Sequence, residues 1–140
     1  MNQTTDHLRR CIQTLASALV LLEQAVPDSI EQDVFRNALS KSYERVQETS
    51  FNLLKQALRA FGHRPNKLDA TSVKGLLRLS STHGLLTPVQ VERWFAYRDN
   101  CDNVAHDNDE DVARQTLELL PSFVADVTHL EASLRQRLRQ

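Results

Sequence analysis

A chain of 140 residues with 41% hydrophobic content fits one domain, and it holds no apolar run near the roughly 18 to 20 residues of a membrane span. A net charge of −1 and a pI near 6.5 argue against a broad basic surface for nucleic acid, although a local basic patch stays open. Three Gly and four Pro in the whole chain predict long helices and few turns, so the expected class is all-α: an up-and-down bundle of about five helices in a single domain spanning 1–140.

The start, Met1 to Asp6, has no basic region and is followed by Arg9 and Arg10 rather than an apolar stretch. We expect no signal peptide and a cytoplasmic protein. Leu8, Ile12, Leu15, Leu19, Leu22 and Val26 recur every three or four residues, which predicts a first helix with one buried face, ending at Pro27. Asp28 with Glu31 has the spacing of a capping box and should open a second helix carrying Phe35, Leu39, Val46, Leu53, Leu54, Leu58 and Phe61. Gly62 ends it, and Pro65 is expected to prevent its early resumption.

A third helix is expected from about Ala70 to Thr82, with Val73, Leu76, Leu77 and Leu79 inward. Thr87-Pro88-Val89-Gln90 is the cleanest start signal: a hydroxyl cap, proline at the first helical position, and a glutamine able to reach back. A fifth helix should begin in the acidic run Asp107 to Asp111 and carry Val112, Leu117, Leu120, Phe123, Val127, Leu130 and Leu134, with Pro121 kinking or splitting it. The basic tail from Arg135 to Arg139 suits a helix C-terminus. Cys11 and Cys101 have no ligand spacing and are expected as reduced thiols. His7, His63, His83 and His129 are expected as solvated or capping residues.

Polar chemistry concentrates in the segment from Trp94 to Asn108. On a helix, Tyr97 and Cys101 share one side, while Arg98, Asp102 and His106 recur every four residues on a neighbouring strip. Asp102 could pair with Arg98 and orient His106, whose ordinary pKa near 6.5 suits proton transfer at neutrality. The bland reading competes: charges at this spacing commonly do no more than support a helix by about 0.2 to 0.5 kcal/mol. Asp99, Asp102, His106 and Asp109 match no established ligand spacing, so no metal and no cofactor is expected. A nucleophilic Cys101 is disfavoured by Asp99 and Asp102, which oppose a thiolate. Trp94, Phe95 and Tyr97 could stack a base, but aromatics on a helix more often fill a core.

With Phe51-Asn52-Leu53-Leu54-Lys55 on the long second helix, the Trp94 to Asn108 segment resembles the HEPN family, specifically its small HepT-like proteins. These are encoded beside minimal nucleotidyltransferases and are also called nucleotidyltransferase substrate-binding proteins. The family stretch reads Tyr-Arg-Asp-x-Arg-Asn-x-x-Ala-His-x-Tyr, and Tyr97, Arg98, Asp99, Ala105 and His106 match it. Cys101 stands in place of the motif arginine, Asp102 in place of the asparagine, and Asn108 in place of the tyrosine.

The resemblance implies a dimeric helical bundle of a toxin–antitoxin-type pair. Active members are metal-independent ribonucleases with motifs from two protomers in one cleft, and the partner silences them by adding AMP to the motif tyrosine. With Cys101 the motif cation is gone, and Asn108 offers no phenol. Tyr97 and Tyr43 would be substitutes outside the motif.

The expected function is therefore a non-catalytic or weakly catalytic subunit that pairs with a minimal nucleotidyltransferase. It would present a nucleotide or RNA cleft formed by Tyr97, Arg98, Asp99, Cys101, Asp102, Asn103, His106 and Asn108. The alternative is a HEPN-type ribonuclease with His106 as acid or base and Arg98 as the phosphate cation.

Overall fold

The computed structural model describes residues 4–106 and 110–138; the side chain of His106 also lies outside this description. It is all-helical there, with six helices: α1 (Thr5–Gln24), α2 (Ile30–Ala60), α3 (Pro65–Asp69), α4 (Val73–Thr82), α5 (Pro88–His106) and α6 (Glu110–Arg137). Four are long, and they make the bundle. α1 lies along α2 and α6, α2 also packs on α4, α5 and α6, and α5 packs on α6 and α4. No described helix is long and apolar enough to cross a membrane.

The first stripe buries Leu8, Ile12, Leu15 and Leu22, whereas Val26 lies beyond the helix end at 63% exposure. α2 has 31 residues, which at 1.5 Å per residue is about 46 Å. Its apolar positions explain that length: Leu39, Tyr43 and Val46 serve one part of the core, and Leu53, Leu54 and Leu58 another. Phe61, expected inward, is exposed and stacks on His83 at 4.4 Å instead.

Three start and stop signals differ from expectation. The α2 cap is Ser29, not Asp28: its Oγ accepts from the Gln32 backbone N–H at 3.0 Å, and Gln32 Oε1 accepts from the Asp28 backbone N–H at 3.0 Å. Asp28 instead takes a φ of 60°, a left-handed turn conformation that Asp tolerates better than most residues. Pro65 does not delay the helix but opens α3 at its first turn, where its missing N–H has no partner to lose. Pro121 does not split α6, which runs continuously from Glu110 to Arg137. Proline denies only the Leu117 carbonyl its partner, and both residues are exposed, which keeps the cost of that lost bond small.

At the start of α5 the reciprocal cap forms as read. The Gln90 N–H donates to Thr87 Oγ1 at 3.1 Å, and the Thr87 N–H donates to Gln90 Oε1 at 2.9 Å. The helix it launches crosses an aromatic centre. Tyr43, Trp94 and Tyr97 each meet the Phe123 ring edge-on, with centroids 4.9 to 5.4 Å apart. Rings at such distances and angles are favourable beyond the area they bury. Trp94 and Tyr97 are thus core residues that fix α5 against α2 and α6.

Candidate functional site

Two polar ties hold the middle of α5 in register. The Tyr97 carbonyl accepts from Tyr43 Oη at 3.1 Å and from Gln47 Nε2 at 3.0 Å, both reaching across from α2 inside the core. On the other side, Tyr97 Oη donates to Asp126 of α6 at 2.5 Å and lies 2.6 Å from Ser122 Oγ. Arg93 grips the same Asp126 carboxylate with Nε at 2.8 Å and Nη2 at 2.9 Å, a two-pronged pair. Burial pushes the Asp126 carboxyl up, but the Arg93 and Tyr97 hydrogen bonds outweigh it, so the net pKa lies below the ordinary value. Burial first, then the bond to Asp126, pushes the Tyr97 phenol up to about 12.

With the helix fixed at Tyr97, the next turn presents Cys101 to a groove of about 380 Å³ between α2 and α5, lined also by Asn37, Ser40, Lys41, Glu44, Val104 and Ala105. Cys101 is 8% exposed. Burial raises its pKa to about 11; the Arg98 charge pulls down, and Glu44, Asp102 and Glu48 push up again. At neutral pH this sulfur is an uncharged thiol, neither a cation for phosphate nor a nucleophile.

Arg98 and Asp102 form an ion pair at 3.4 Å along the helix, with the guanidinium 5.8 Å from the Phe51 ring centre. Asp99 lies about 200° around the helix from Cys101 and pairs with Lys74 of α4 at 2.9 Å. Asp99 therefore serves the α4–α5 contact. Asn103 is exposed, while Asn100, not singled out from sequence, is buried and accepts from Thr116 Oγ1 at 3.2 Å.

Of the residues read as lining one cleft, the structure brings together Arg98, Asp102 and, one helical position away, Cys101. It separates two of them: Asp99 turns to α4, and Tyr97, 1% exposed with its hydroxyl committed to α6, does not line the groove. The Tyr97 correction follows from its period, which puts it beneath Cys101 on the core side. Asp107, Asn108 and the His106 side chain lie outside the described residues. Asp99 and Asp102 are committed to different cations, and among the described residues no group of three or more His, Cys, Asp or Glu side chains is placed to hold a metal.

Sequence reasoning missed Asn37, Lys41 and Glu44 as the opposite wall, because the pairing of α2 with α5 is set by Tyr43 and Gln47 across the core. Both of the expected substitutes for the missing motif tyrosine are enclosed: Tyr43 is fully buried, and burial drives its phenol pKa upward.

Comparison with known proteins agrees with this fold. A probable ribonuclease HepT from Haemophilus influenzae is 27% identical over 144 residues, covering 95% of this chain and 96% of its own. The structure of HI0074 from Haemophilus influenzae, described as the fold of a substrate binding domain of a nucleotidyltransferase, superposes with a TM-score of 0.79. It has 22% identity over 94% of this chain and 99% of its own. A protein from Thermus thermophilus superposes at 0.68 with 25% identity, covering 95% of this chain and 99% of its own. The family profile described as nucleotidyltransferase substrate binding protein like matches residues 9–136, and the chain belongs to that family.

Proposed function

We propose that this protein is a non-catalytic partner subunit of a minimal nucleotidyltransferase. It is one HEPN-like helical domain, cytoplasmic and homodimeric, and it presents the α2–α5 groove as a nucleotide- or RNA-sized cleft. The observation that carries this reading is Cys101. It occupies the place of the family arginine, and its buried thiol stays neutral with a pKa near 11.

Stabilising a phosphoryl group in a transition state requires a cation aimed at the developing charge. Here Arg98, the arginine one turn from Cys101, is paired with Asp102, and Lys41, the cation that lines the groove, shares that lining with Glu44. The arginine that ribonuclease chemistry would pair with the family histidine is replaced in this sequence by Cys101. The scaffold itself keeps the features that hold a groove open: the Thr87 cap, the Tyr97 ties and the aromatic centre.

The competing reading, a metal-independent ribonuclease with His106 as acid or base and Arg98 as cation, draws on the name of the Haemophilus influenzae relative. Incubation of the purified protein with single-stranded RNA separates the two. The subunit reading predicts intact RNA. Cleavage that disappears in both His106→Ala and Arg98→Ala would overturn it.

A further inference from the structure

On the opposite side of α2 from the aromatic centre, α1 and α2 part to leave a cavity of about 370 Å³. Its walls carry Arg10 from α1 and Lys41 and Arg45 from α2, with His7 and the Ser42 hydroxyl beside them and Ala38 as a small residue between. Elsewhere in the described chain seven cations, Arg9, Lys55, Lys74, Arg93, Arg98, Arg114 and Arg135, each have a carboxylate partner, and six do not. Arg10, Lys41 and Arg45 have none within ion-pair distance among the described residues. Lys41 and Arg45 also stand four residues apart on one helix, a spacing at which like charges repel and weaken it. Glu44, the acid nearest in sequence, lines the groove on the Cys101 side instead.

The same interhelical furrow continues along α1 into a wider space of about 620 Å³, sharing Arg10, Thr14, Ala38 and Ser42. There the lining turns apolar, with half-buried Phe35 and the exposed side chains of Leu21 and Val34. A cationic end joined to an apolar end, one of them with an aromatic ring, fits an amphiphilic anion with a flat body. The geometry points to a nucleotide site: phosphates on Arg10, Lys41 and Arg45, the base toward Phe35 and Leu21. Guanidinium groups offer forked donors to phosphate oxygens, and the ammonium adds a mobile point charge. This goes beyond the partner-subunit reading, which concerns the other face of α2, and Lys41 borders both spaces.

Calorimetric titration of the intact protein with ATP, adenosine, inorganic phosphate and a ten-nucleotide single-stranded RNA tests the assignment. ATP should bind at least tenfold more tightly than adenosine or phosphate. The Lys41→Glu/Arg45→Glu double variant, and the milder Lys41→Ala/Arg45→Ala, should weaken ATP at least tenfold while keeping helical circular dichroism. Phe35→Ala should weaken ATP and leave phosphate unchanged. ATP binding equal to that of adenosine, equal binding by the folded double variants, or no ATP binding at millimolar concentration would overturn it. So would binding of the RNA where ATP does not bind. None of these arms involves a nucleotidyltransferase, so failure here leaves the partner-subunit reading to its own test.

Discussion

Replacing Asp126 by Ala probes the tie that positions α5. The carboxylate side chain is 12% exposed and accepts from Tyr97 Oη and twice from Arg93. Tyr97 keeps only Ser122 after the change. The loss of a largely buried hydrogen bond to a charged group costs about 1.5 to 3 kcal/mol. Taking about 2 kcal/mol, and roughly 3 °C per kcal/mol for a chain of this size, the melting temperature should fall by about 6 °C at pH 7.

The pH dependence has a definite sign. The folded-state pKa of Asp126 is depressed, so its contribution is present above the unfolded value near 3.9 and lost as pH falls through the folded value. Thermal unfolding of both proteins followed by circular dichroism from pH 7 down to about pH 2 should show a gap that persists to about pH 4 and then closes. A gap within about 0.5 kcal/mol of zero at neutrality, or one as wide at pH 2 as at pH 7, would refute the reasoning.

Two further outcomes concern the same region. With its pKa near 11, Cys101 should be alkylated at pH 8 about two orders of magnitude more slowly than the same cysteine in the urea-unfolded chain, as monitored by peptide mass spectrometry; equal rates would contradict its burial. Thr87→Ala removes the hydroxyl that accepts from Gln90 and should cost about 1 kcal/mol in urea unfolding, whereas an unchanged midpoint would show the cap to be idle.

The fold was legible wherever local chemistry decides it. Apolar spacing found the four long helices, and the Thr87 to Gln90 box found the start of α5, because caps and periodicity act within a few residues. Signals with two near-equal solutions misled: Ser29 and Gln32 compete with Asp28 and Glu31 one position away, and Pro65 can stop one helix or start the next. Pro121 was misjudged because a proline penalty is small when the residue whose carbonyl is deprived is exposed.

The candidate site was legible along α5 but not across it. Helical periodicity put Arg98 beside Asp102, yet nothing local tells that Tyr97 turns under the helix toward Asp126, that Asp99 reaches Lys74, or that Lys41 and Glu44 face Cys101. Those placements depend on contacts between residues roughly 25 to 60 positions apart in sequence. Glu131, gripped by Arg9 at 3.3 Å and Arg135 at 3.4 Å, is a similar case: a buried acid joining α1 to α6 that reads in sequence as one more solvated charge.

The partner-subunit assignment is tested most directly by light scattering on size-exclusion chromatography of this chain, alone and co-expressed with the minimal nucleotidyltransferase of an adjacent gene. Alone, the chain should elute at twice its 16.0 kDa mass, and with the enzyme it should shift into a stable complex of fixed stoichiometry. A chain that stays at 16.0 kDa at high concentration and elutes apart from the enzyme would contradict the assignment.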